Sequence, residues 1–132
     1  PNGTHLTQKY YALKASLCRY KKKRIRMRWS TFGKHSHIMT GRLPLSLKRK
    51  VYNSCILPVL GYGAEIWRLT KRVRPKLWTT QRAMERKMVG VTLRDKRAEW
   101  IREQTGVKDI IVEIKKRKWT WAGHVACRQG SR

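Results

Sequence analysis

The residue types that do metal or acid–base chemistry occur in this chain, but not in working groups. Polymerase or nuclease chemistry needs carboxylates clustered tightly enough to hold two metal ions. The seven acids, from Glu65 to Glu113, are scattered singly, and most have a Lys or Arg close enough in sequence to pair with. His35 and His37 are two apart, and His124 precedes Cys127 by three. Neither spacing is half of a zinc site, and no cysteine pair has the C-x2-C pattern. Gly61-Tyr62-Gly63 lacks the Lys-Ser/Thr ending and the preceding strand of a phosphate loop. No Ser or Cys sits in nucleophile-like surroundings. The expectation is a chain with no catalytic residue, no metal and no cofactor of its own, inactive alone.

What the chain holds in excess is positive charge. Lys and Arg number 33 against 7 acids, a formal net charge of +26. Residues 1–64 carry 14 of those cations and no acid. Self-repulsion on that scale disfavours a compact state unless a polyanion neutralises it, and phosphate backbone binds such a chain strongly through counterion release. Aromatics are interleaved with the cations: Arg26, Arg28 and Trp29; Lys48, Arg49, Lys50 and Tyr52; Arg117, Lys118, Trp119 and Trp121. Arg and Lys contact phosphates, and exposed aromatics can stack on bases. The plainer alternative is that charges merely solvate outer faces while aromatics fill the core. For most of the six Trp the core reading is preferred, since they fall on apolar faces. For the charges it is not, because a solvated face normally mixes signs. The candidate nucleic-acid contacts are Arg24, Arg26, Arg28, Lys48, Arg49, Lys50, Arg82, Arg86, Arg117 and Lys118, and the expected partner is RNA, DNA or an RNA–DNA hybrid.

Other compartments and partners are less well served. The longest apolar stretch, Cys55 to Leu60, is far short of the roughly 18 residues a membrane span needs, and no lipidation motif is present. Three widely spaced cysteines point to reduced thiols, and the first residues lack the apolar run of a signal peptide. An intracellular protein of nucleus or cytoplasm is expected. A first residue of Pro rather than Met suggests a piece of something longer.

These residues must be carried on helices, because no stretch alternates with a period of two. Residues 1–20 lack a clear period and are expected to be loose or weakly helical. After the run Lys21–Arg24, the residues Ile25, Trp29, Phe32 and Met39 mark one helical face, ended by Gly41, with Pro44 opening the next helix. Over 45–67 the expected inner line is Leu47, Val51, Ser54/Cys55 and Pro58, widened by Tyr52, Ile56, Val59 and Leu60. Pro58 should kink that helix. A further helix starts near Thr70, carries Leu77, Met84 and Met88, and stops at Gly90. Thr92-Leu93-Arg94-Asp95 fits a capping box, so a short helix with Trp100 and Ile101 should follow and end at Gly106. A last helix from Lys108-Asp109 places Ile110, Ile114, Trp121 and Val125 on one face, with Glu113 and Arg117 as an i,i+4 pair. The fold class is all-α, a small bundle of about four to five helices with a basic surface and a loose N-terminal segment.

From about Arg24 onward the sequence resembles the C-terminal part of reverse transcriptases from LINE-type (non-LTR) retrotransposons. The segments that carry the resemblance are Leu43-Pro44-Leu45-Ser46-Leu47-Lys48-Arg49-Lys50, Ser54-Cys55-Ile56-Leu57-Pro58-Val59-Leu60, Tyr62-Gly63-Ala64-Glu65 with Trp67, Gln81-Arg82-Ala83-Met84-Glu85-Arg86, Leu93-Arg94-Asp95, and Lys118-Trp119 with Trp121-Ala122-Gly123-His124-Val125-Ala126. Each is weak alone; all in this order are specific. Gly61 and Ile66 depart from the Thr usual there, and residues 1–23 do not match. The resemblance implies a thumb and post-thumb region over 24–132 that grips template–primer duplex behind the polymerase site. It also implies a parent polyprotein that supplies the palm, with its catalytic aspartates, and the endonuclease domain. A truncated or decayed element copy is expected. The alternative is a free-standing basic RNA-binding or ribosome-associated protein whose similarity is a relic.

Overall fold

A computed structural model of the chain describes residues 2–66, 68–92, 94 and 97–130. Helix α1 spans Asn2–Lys34, α2 Ser36–Met39 and α3 Leu45–Val51. A π-helical turn, Tyr52–Ile56, carries α3 without a break into α4, Leu57–Gly61. After a 3-10 turn at Ala64–Ile66 come α5 (Val73–Val89), α6 (Ala98–Thr105) and α7 (Ile110–Gly130). There is no strand among the described residues. With α3, the π turn and α4 counted as one rod, five rods have seven or more residues, so the small all-α fold stands.

The N-terminal segment differs from its expectation in one respect. Residues expected to be loose or weakly helical form the first half of one 33-residue helix that crosses residues 23 and 24 without interruption. No Gly or Pro interrupts it between Thr4 and Phe32, so a helix anchored by its packed end can propagate outward. Its residues 4–16 are exposed and touch no core. The packed end supplies Phe32, with Tyr20, Ile25 and Trp29 half-buried against the core.

The core joins Phe32 and Met39 to Tyr52, Ile56, Leu57 and Leu60, then to Leu77, Met84 and Met88 of α5 and Ile110 and Ile114 of α7. Each such aliphatic side chain contributes about 1.5–3 kcal/mol by leaving water. Gly90 and Gly106 end α5 and α6 in the left-handed conformation, at φ 80° and 57°, the helix stops their positions imply. The start of α7 is capped by Asp109, whose Oδ1 accepts from the Ile111 amide at 2.8 Å.

Along 45–61 the inner line is shifted by one residue. Lys48, Tyr52, Ile56, Leu57 and Leu60 are buried, while Leu47, Ser54 and Cys55 face outward. The shift is already set at Lys48, ahead of the π turn, where the bond to the Met88 carbonyl holds that side chain inward. Pro58 lacks an amide hydrogen and its ring crowds the carbonyl four residues back; the wider turn just before it accommodates both faults and rotates the following residues relative to an unbroken α-helix. Helix α6 begins at Ala98 after Arg97, with no side-chain cap, so Thr92 does not cap it. Leu93 and Asp95 of the expected capping box, and Trp67, lie outside the described residues.

Candidate nucleic-acid interface

Seven of the ten candidate cations fall into two settings, and the first is internal. Arg28, Lys48 and Arg82 are buried, which corrects the reading of Lys48, Arg49 and Lys50 as one outward strip. The Lys48 ammonium donates to the Met88 carbonyl at 2.7 Å, tying α3 to the end of α5. Arg49 is half-buried and its Nε donates to the Thr105 carbonyl at 2.6 Å, fastening α6. Arg82 pairs with Glu85 and lies 3.5 Å from Asp109, which Arg102 reaches at 3.0 Å. Gln81 spans the start of α7: its Oε1 accepts from the Ile110 amide at 2.8 Å and its Nε2 donates to the Lys108 carbonyl at 3.0 Å. The Thr105 hydroxyl stands 3.3 Å from Glu85. Burial pushes the Glu85 carboxyl upward, countered by the charge of Arg82.

Arg28 is the extreme member of this group. It is fully buried, none of its three guanidinium nitrogens has a hydrogen-bond partner, and its head lies 5.1 Å from the Tyr52 ring centre. Burial lowers its pKa to about 9 from the ordinary 12.5, with Glu85 opposing the shift and Arg82 adding to it.

The second setting lies where α1, the 61–68 connection and α7 meet. Arg24 is sandwiched between aromatic rings, 4.9 Å from the Tyr20 centre and 4.6 Å from the Tyr62 centre, and its Nη2 donates to the Tyr20 hydroxyl at 2.9 Å. Lys21 donates to the Arg68 carbonyl at 3.3 Å. Arg117 turns inward and donates to the Gly61 carbonyl at 3.0 Å, so the expected Glu113–Arg117 pair is replaced by Glu113–Lys116 at 3.5 Å. A Cβ at residue 61 would stand 3.1 Å from the guanidinium carbon of Arg117, a close approach that favours Gly there. Lys118, on α7, lies close enough to Lys21 of α1 to feel its charge. Its ammonium is held below the usual lysine range, first by desolvation and then by the Lys21 charge. This junction therefore gathers Arg24, Arg117 and Lys118 from the expected set. Sequence reasoning missed Lys21, Arg68, Lys116 and Tyr62 as companions, although the run Lys21–Arg24 was visible as charge.

The remaining candidates are dispersed. Arg26 and Lys50 are exposed, and Arg86 is half-buried. Among the described Trp none is buried: Trp29 and Trp100 are half-buried, while Trp78, Trp119 and Trp121 are 41, 78 and 50% exposed. The preference for Trp as core is thus corrected. Helix α7 keeps its apolar period beyond Ile114, but its second half extends past the elements that cover the first. No helix among the described residues is long and apolar enough to cross a membrane.

Among curated proteins, the chain is 34% identical over 115 residues to a Caenorhabditis elegans protein named as transposon-derived. The match covers 83% of this chain but 41% of the relative's length. It fits a transposon origin. No protein-family model matches the chain, and no solved structure matches it.

Proposed function

We propose that this chain is the thumb and post-thumb region of a LINE-type reverse transcriptase, and that it holds template–primer nucleic acid by its phosphates without reading sequence. The observation that supports this most is the gathering of Lys21, Arg24, Arg68 and Arg117 around residues 61–68, with Lys116 and Lys118 close by on α7. Like charges brought together from separate helices destabilise the bare protein and are relieved by an anion. An excess of +26 gives the same reading on the scale of the whole chain. The relative's transposon-derived name agrees with it.

The test is a salt titration of duplex and RNA–DNA hybrid binding. With roughly 6–10 phosphates contacted, log K against log salt falls with a slope of about −5 to −9, nearly independent of sequence. A slope near zero, or strong preference for one duplex sequence, overturns the reading.

A further inference from the structure

Beside the cationic junction, the 3-10 turn and α7 enclose a surface cavity of about 310 Å³ lined by Glu65, Lys116, Arg117, Thr120, Trp121 and His124. That is the small end of the range for ligand pockets, about 300–1,000 Å³. The composition is specific. Trp121 is half exposed and offers a flat indole face. Lys116 and His124 stand on the same side of α7, two turns apart along it, and both are exposed. Glu65 is the only acid lining the cavity among the described residues. Its position is unusual: it lies among cations, yet Arg117 is turned to the Gly61 carbonyl and Lys116 to Glu113, and no described side chain pairs with Glu65.

We propose that this cavity takes a single unpaired guanine of the bound nucleic acid, an assignment that rests on the nucleic-acid reading above. The base stacks on Trp121, as unpaired bases do on exposed aromatics. The Glu65 carboxylate accepts two hydrogen bonds from the Watson–Crick edge of guanine, one from N1–H and one from the N2 amino group. Adenine and cytosine each offer one amino donor beside an acceptor nitrogen that repels the carboxylate, and uracil offers one imide donor between two carbonyls. The flanking phosphate meets Lys116 and His124. A single-strand pocket next to a duplex-holding junction places the guanine where a strand leaves the paired region.

The experiment measures anisotropy of labelled octauridine carrying one central guanosine, inosine, adenosine, cytidine or uridine, with the 132-residue chain. Guanosine binds at least about fivefold tighter than uridine; inosine, lacking the N2 amino group, falls between them. Trp121→Leu weakens the guanosine strand at least about fivefold, whereas Trp121→Tyr restores most of it. Glu65→Gln removes the guanosine preference while leaving the duplex salt slope unchanged, with helicity by circular dichroism confirming the fold of each variant. Equal affinity for all five strands overturns the pocket, as does a guanosine preference that survives Glu65→Gln. If duplex binding keeps its steep salt slope in that case, only the pocket fails. If neither duplex nor single strand binds, the nucleic-acid reading fails with it.

Discussion

Two groups of cations in this molecule look alike in sequence and behave oppositely in structure. Around α5, Arg28, Lys48 and Arg82 are buried and serve as struts, each directed at a carbonyl, a carboxylate or an aromatic ring of the protein itself. Around the 61–68 connection, Lys21, Lys116 and Lys118 keep access to solvent, and the Lys21 charge reaches Lys118. The difference shows that a basic composition alone does not identify a binding face. The segment Gln81-Arg82-Ala83-Met84-Glu85-Arg86, prominent in the family resemblance, is largely internal carpentry: Gln81, Arg82, Met84 and Glu85 are all buried. Its residue types reflect how α5 holds the start of α7 and the end of α6.

The sharpest way to break this comparison is to remove the shared anion of the internal group. Glu85→Ala leaves Arg28 buried without its counter-charge and Arg82 with only Asp109 at 3.5 Å, and losing one member of a buried pair costs about 3–5 kcal/mol. A small domain holds about 5–15 kcal/mol in all. We expect thermal melting by circular dichroism to drop by well over roughly 10 °C or to lose cooperativity. An unchanged melting temperature means that the internal ion group does not support the fold.

Lys48→Met comes next. It keeps the aliphatic stem and removes the ammonium that satisfies the Met88 carbonyl. A buried polar group left without its partner costs about 1–3 kcal/mol. Lys50→Met, two residues on and exposed, should shift stability by no more than about 0.5 kcal/mol. Equal melting temperatures for the two variants would erase the distinction between strut and surface.

Arg28 gives a smaller effect of opposite sign. Its guanidinium is buried with no hydrogen-bond partner, so Arg28→Met should leave stability unchanged or raise it by about 1 kcal/mol at pH 7, since packed apolar replacements of buried charge are often neutral or stabilising. The pH dependence follows from the pKa of about 9 in the fold against 12.5 outside it. Below pH 9 both states carry the proton and the burial penalty is fully present. Above pH 9 the unfolded chain binds more protons than the native one, so the penalty fades as pH rises toward 12.5. The advantage of Arg28→Met should therefore be largest at pH 7 and smaller at pH 10. A larger advantage at pH 10 rules out burial of the charged guanidinium as the cause.

How much of this was legible in the sequence varies with the physics behind each feature. The all-α class was legible, and so were the stops at Gly90 and Gly106, because helical periodicity and left-handed glycine act locally. The inner line of 45–61 was misread by one residue, since a lysine, Lys48, takes the inward place that hydropathy gives to Leu47. Burial of Arg28, Lys48 and Arg82 was illegible for a different reason. Whether a long cation lies inside depends on groups contributed 27 to 57 residues away: the Met88 carbonyl for Lys48, the Asp109 carboxylate for Arg82 and the charge of Glu85 for Arg28. Trp119 and Trp121 failed similarly: an apolar face is local, but what covers it is not. Of the cationic junction, the sequence revealed its charge and the residues Arg24, Arg117 and Lys118, but not that Lys21 and Arg68 would join them.

One pair in that junction offers the smallest stability effect and the finest test. Lys21 and Lys118 lie on helices that begin more than a hundred residues apart, and the Lys21 charge adds to the desolvation that already disfavours the Lys118 ammonium. Replacing both with Ala removes a repulsion and one hydrogen bond from Lys21 to the Arg68 carbonyl; these contributions are partly exposed and opposed, so the melting temperature should move by only a degree or two. Duplex affinity should fall, and the salt slope should become shallower by about 2, roughly one for each phosphate that the variant no longer engages. The same substitutions at Arg26 and Lys50, exposed but outside the junction, should change the slope less. If all four positions reduce the slope equally, the nucleic acid is held diffusely by total charge, and the junction has no privilege beyond its geometry. If only the junction pair does so, the strand or duplex lies along α1 and α7, with the Trp121 cavity beside its path.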